Sequence, residues 1–152
     1  MEILTLDLDE IDYSLIGIHS NQEDYKIAFL LNKHLDLRFQ RFEKCLDFEN
    51  SNAEFPLFEF KDKDNYINYY LINNKHVQQI KTEKQGLFEE SLSTTTYLIP
   101  EKKKVDFFLK IEGMCGTATF LNLVSKIKKV PKIMTCYPVE PETLKSKNHL
   151  IF

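Results

Sequence analysis

Residues 97–113 read YLIPEKKKVDFFLKIEG, and the fold is decided by how this stretch is read. Val105, Phe107, Leu109 and Ile111 alternate with Asp106, Phe108, Lys110 and Glu112. A period of two predicts a half-buried β-strand. Upstream, the β-branched run Thr94–Ile99 predicts a second strand. Pro100 ends it, and Glu101–Lys104 turns the chain. Downstream, Gly113 closes the strand and Thr117 caps a helix whose inner face carries Phe120, Leu121, Val124 and Ile127. Lys126, Lys128 and Lys129 fall in its last turn, where cations suit the helix dipole. Pro131 stops the helix, and Ile133–Val139 reads as a final strand.

The other half of the chain has a similar order. Met1–Leu8 alternates weakly, and Tyr13–His19 (YSLIGIH) is a stronger strand. Ser20-Asn21-Gln22-Glu23 matches a capping box, so a helix is expected over 21–35 with Ile27, Ala28, Leu31 and Leu35 inward. Leu37–Phe48 has strand character but changes register near Gln40-Arg41, which means a bulge or two short strands. Phe55–Phe60 and Tyr66–Ile72 predict a hairpin around residues 61–65. Residues 78–93 show no clear period and are expected to cover an edge. Strand, helix, strand, an antiparallel insert, then strand, helix, strand make an α+β plan. It is a ferredoxin-like split β-α-β with an inserted antiparallel hairpin and two main helices on one sheet face.

A chain of 152 residues forms one domain, spanning 1–152, that buries about two-thirds of its unfolded surface. It needs no disulfide or metal to fold. No apolar run approaches the roughly 20 residues of a membrane helix, and the acidic start MEILTLDLDEID is no secretory signal. Cys45, Cys115 and Cys136 lack ligand-like spacing, which suits reduced thiols in a cytoplasmic protein. Residues 1–100 carry 10 Lys+Arg against 18 Asp+Glu, net −8, whereas residues 101–152 carry 10 against 5, net +5.

No catalytic, metal or cofactor constellation emerges. Asp7, Asp9, Glu10 and Asp12 have the spacing of a weak divalent-cation site, but a solvated acidic edge explains them better. The turn Gly113–Thr117 lacks the P-loop lysine, and Cys115 gains only the pKa-lowering effect of a helix start. The four histidines are scattered, and His19, at the end of an apolar strand, is the first to check. Lys102, Lys103 and Lys104 together with Lys128 and Lys129 (and with Lys126 and Lys132) make a candidate basic patch. With no RNP1 pattern and two arginines, nucleic acid is a disfavoured partner. Phe108, on the polar side of its strand, is an interface candidate, or else the inserted hairpin covers it. Ile151 and Phe152 end the sequence on an apolar note and are further interface candidates.

Ile99-Pro100-Glu101, three lysines, then Val105-Asp106-Phe107 resembles the signature of the bacterial IPExxxVDY family, with Phe107 in place of its Tyr. The stretch Leu15–Tyr25 and the Leu-Ile-Phe ending are also similar. The resemblance implies a cytoplasmic accessory role and brings no activity and no site residues with it. The expected function is therefore a non-enzymatic interaction module that self-associates or binds a protein partner. The alternative is a small-ligand regulatory domain of ACT-like type, using residues 17–24 and 113–117. An RNA-associated accessory protein is the third reading.

Overall fold

The computed structural model describes residues 12–46, 53–81, 91–113 and 116–152. The Met1–Leu8 strand, the carboxylates Asp7, Asp9 and Glu10, and Cys115 lie outside them. The fold is α+β. Strand β1 (Tyr13–His19) leads into helix α1 (Asp24–Leu35). Strands β2 (Gln40–Arg41), β3 (Leu57–Asp62) and β4 (Ile67–Asn73) follow, then β5 (Lys75–Lys81), β6 (Ser91–Tyr97) and β7 (Phe107–Glu112). Helix α2 (Thr117–Lys128) and strand β8 (Thr135–Val139) complete the regular elements. Six strands form one sheet in the order β2-β3-β4-β7-β1-β8, and β5-β6 form a separate ribbon. Every strand pairing among the described residues is antiparallel.

The central strand β7 is buried on both sides, which corrects the half-buried reading. Phe107, Leu109 and Ile111 join Ile16 and Ile18 of β1, and both helices pack on this face through Ile27, Ala28, Leu31, Val124 and Ile127. Phe108 joins Leu15, Leu57, Ile72 and Val139 on the opposite face. That face is covered by Leu98, Ile99 and Val105, and by Leu144 and Leu150 from the tail. Phe108 is fully buried, so it is not an interface residue. Gly17 lies directly opposite it on β1, and a Cβ there would come within 3.2 Å of Val139 and 3.3 Å of Val105. This missing side chain is what lets the second layer sit close.

Both helix starts differ from expectation. Helix α1 begins at Asp24, and its N-cap Glu23 makes no side-chain cap bond. Ser20 is buried; its hydroxyl donates to the Lys132 carbonyl at 2.8 Å and accepts from the Gln22 N–H at 3.2 Å, so the capping box does not form. Gly116 at φ 93, not Thr117, is the N-cap of α2. Leu121 is 48% exposed rather than inward. Of the strand expected over 37–48, the described residues, 37–46, form the two-residue β2 and an isolated Leu46–Phe55 bridge, and 47–48 lie outside the described residues. The 55–72 hairpin forms as β3–β4 and belongs to the main sheet. In the β5–β6 ribbon, β6 overlaps the strand expected at Thr94–Ile99, whereas β5 has no counterpart in the periodicity.

Candidate functional site

The 99–106 segment is a joint between chain segments. Pro100, fixed near helical φ, opens a single 3-10 turn, Pro100–Lys102. The turn closes when the Lys102 N–H donates to the Ile99 carbonyl at 3.0 Å. Fully buried Asn74, between β4 and β5, threads the joint. Its Oδ1 accepts the Ile99 N–H at 2.8 Å, and its Nδ2 donates to the carbonyls of Val105 (2.8 Å) and Lys102 (2.9 Å). Asp106 accepts the Ser20 N–H at 2.9 Å and the Lys75 ammonium at 2.8 Å.

Glu101 does not pair with a lysine of its own turn. It accepts the Ser146 N–H at 2.7 Å and the Ser146 hydroxyl at 3.1 Å. Partial burial pushes its pKa up, but these bonds and those from its own and the Lys145 N–H outweigh that and hold it below the ordinary value. The motif's Glu and Asp are thus occupied in holding the chain together.

This joint changes the membership of the basic patch. Lys102–Lys104 line a cleft of about 380 Å³ with Tyr137, which faces the second core. Lys126 and Lys129 line another, also about 380 Å³, with His34 at the helix ends, and Cys136, next in line to Tyr137, faces that side. Lys128 and Lys129 therefore sit on the opposite side of the sheet from Lys102–Lys104, and the predicted single patch is not one surface. The Glu101–Ser146 bonds instead draw Lys145 and Lys147 towards Lys102–Lys104. Lys103 Nζ stands 5.7 Å from the Tyr97 ring centroid. Ile151 is 68% exposed in the same layer, and Phe152 is half-exposed.

Beneath Phe152 lies a feature that sequence periodicity hides. Lys110, read as a solvent-facing residue of β7, is 3% exposed. Its ammonium meets Glu112 at 3.0 Å and sits over the rings of Phe152, Tyr13 and Tyr70. Burial raises the phenol pKa values of Tyr13 and Tyr70, with nearby carboxylates adding to the effect. No sequence signal marks Lys110, because its placement opposite Tyr70 and Leu15 is set by the sheet register.

A third cleft, of about 420 Å³, opens at the β1–α1 loop between Ser20–Asp24, Asn73, Lys75 and Asp106. Asn73 Oδ1 is buried there without a hydrogen-bond partner. His19 Nε2 lies 2.8 Å from the Tyr137 hydroxyl, a satisfied position at the end of β1 beside the edge strand β8. Cys45 and Cys136 are free thiols, and burial raises the Cys136 pKa against a partial offset from Lys128. Among the described residues no three His, Cys, Asp or Glu side chains could hold a metal ion. No helix among them is long and apolar enough to cross a membrane.

Comparison with protein-family models, with curated proteins and with solved structures gives no match for this chain.

Proposed function

We propose that this chain is a non-enzymatic cytoplasmic interaction module that docks an acidic protein surface. The docking face is the layer formed by residues 98–105 and 144–152. The observation that carries the reading is the pair of bonds from Ser146 to Glu101, which brings two lysine-bearing segments together. Their donors also occupy the one acid of that turn, leaving the surrounding ammonium groups free to act outward. Exposed Ile151 supplies an apolar point beside them. Both arginines, Arg38 and Arg41, lie outside this face and the chain has no RNP1 pattern, which disfavours RNA. Membership of the IPExxxVDY family is part of the proposal, supported by the structural work its motif residues do here. So is a ferredoxin-like core of β8-β1-β7-β4, with β5–β6 as its inserted ribbon, supported by the strand order.

The test is affinity capture from the native cell with three variants of unchanged thermal stability. Lys102→Glu/Lys103→Glu/Lys104→Glu should lower recovery of the co-purifying protein at least about tenfold, an effect that fades at high salt. Lys126→Glu/Lys129→Glu should leave it unchanged. Loss on Phe29→Ser instead would move the interface to α1, where Phe29 is exposed, and sink the lysine reading. Recovery unaffected by the triple variant would do the same.

The ACT-like reading has one observation in its favour, the unpartnered Asn73 Oδ1 in the β1–α1 cleft. A metabolite screen by thermal shift tests it. A ligand present at about 100 times its Kd stabilises by about 2.7 kcal/mol; a screen with no shifted melting point rejects this reading.

A further inference from the structure

The docking reading makes no use of Lys110, whose burial calls for its own explanation. Its Nζ is 3.0 Å from Glu112 Oε1. It lies 4.2 Å from the Phe152 ring centroid, 4.9 Å from that of Tyr13 and 5.6 Å from that of Tyr70. Tyr13 and Tyr70 belong to the two strands that flank β7, so these walls are fixed by the sheet. The third wall comes from the tail. Leu144 and Leu150 of the tail are buried, and His149 Nδ1 stands 2.7 Å from the Leu98 carbonyl. Beyond Leu150 the character changes. Ile151 points to solvent, and Phe152 is 47% exposed while resting edge-on against Tyr70 at 5.1 Å.

We infer that Phe152 is a reversible lid on Lys110. The Phe152 ring swings away while Leu150 stays seated, and a closed socket becomes an open one with a primary amine at its base between two tyrosines. Three observations bear on the balance between these states. A ring already half in solvent loses little apolar burial on lifting. An ammonium released from the socket regains water, which offsets the lost ring contact. The Tyr13 ring of the same socket carries a hydroxyl buried without a hydrogen-bond partner, a group that gains from any water admitted there. The lid thus makes Lys110 a conditional acylation site: hidden when shut, and when lifted able to attack an activated acyl ester through its neutral amine, forming the amide N–C bond as the ester's C–O bond breaks, the surplus amine proton going to water. It stands whether or not the lysine layer docks a partner.

Acetylation of the intact chain with an N-hydroxysuccinimide ester, read lysine by lysine by mass spectrometry, tests it. In the wild type Lys110 should react roughly a hundredfold more slowly than exposed Lys145, at a rate flat across low urea because opening is local. Phe152→Ala should raise the Lys110 rate roughly tenfold and leave Lys145 unchanged. Phe152→Leu, which refills the space without the ring, should fall between; if Phe152→Ala loses its native near-ultraviolet signal, this variant decides by the same comparison. Three results would overturn the lid: Lys110 reacting as fast as Lys145 in the wild type, a wild-type rate that climbs from zero urea with the slope of global unfolding, or variants as protected as the wild type.

Discussion

Asn74 ties three points of the chain together with one side chain, and none of its polar atoms meets solvent. Replacement by Ala removes both halves of that amide and strands the Ile99 N–H and the Val105 carbonyl, whereas the Lys102 carbonyl keeps the Val105 N–H at 3.1 Å. Each unsatisfied buried group costs about 1–3 kcal/mol, so Asn74→Ala should destabilise by about 3–5 kcal/mol in urea unfolding. A loss below about 1 kcal/mol would mean that water enters the joint and that Asn74 is not its fastener. The sequence pattern does not single out Asn74, which falls between the strand expected at Tyr66–Ile72 and the patternless stretch 78–93. The signature residues were easier: Ile99 is extended before Pro100, as expected of a residue preceding proline. Phe108 and Lys110 were misread because alternation reports which residues share a face, not whether that face is wet. The cover comes from residues 98–105 and 144–150, which carry no period that points back to β7.

Elements with strong local pattern, β1, α1, the β3–β4 hairpin, β7 and α2, emerge close to where periodicity puts them. Those without it, β5 and the 3-10 turns of the tail, are held by distant partners and leave no such trace. The β7–α2 connection shows how local and distant constraints combine. Gly113 has φ +88, and a Cβ there would lie 2.5 Å from the Tyr66 carbonyl oxygen in the β3–β4 turn. Tyr66 itself holds φ 58 in a turn whose Asp62 accepts the Asp64 and Asn65 N–H groups. The glycine therefore serves backbone angle and close approach at once. Gly113→Ala should cost about 2–4 kcal/mol. Gly113→Asn separates the two causes: asparagine tolerates positive φ but still carries the clashing Cβ. Similar losses for both, measured by urea unfolding, assign the effect to contact with Tyr66. A well-tolerated Asn variant would assign it to φ alone.

At the scale of the molecule, one sheet separates two apolar cores, and each central strand contributes to both. Stripping the tail layer from one face therefore leaves Phe108, Leu15 and Ile72 in water, so the layers should unfold together. Glu101 offers a handle on this coupling, because its carboxylate holds the tail at Ser146. The pKa of Glu101 is depressed in the folded chain. A depressed carboxylate stabilises the fold above its unfolded pKa, about 4.3 for glutamate, and that contribution disappears as pH falls through the lower folded value. The melting temperature of Glu101→Gln should accordingly lie below that of the wild type at pH 7, and the gap should close as pH falls from about 5 to about 3. Calorimetry over that range gives the answer, with aromatic and far-ultraviolet circular dichroism reporting side-chain packing and secondary structure in the same melt. A gap that stays constant with pH would show that the carboxylate charge does not hold the tail. Separate transitions by the two probes would show that the molecule does not melt as one cooperative unit and would overturn the expectation that the layers unfold together.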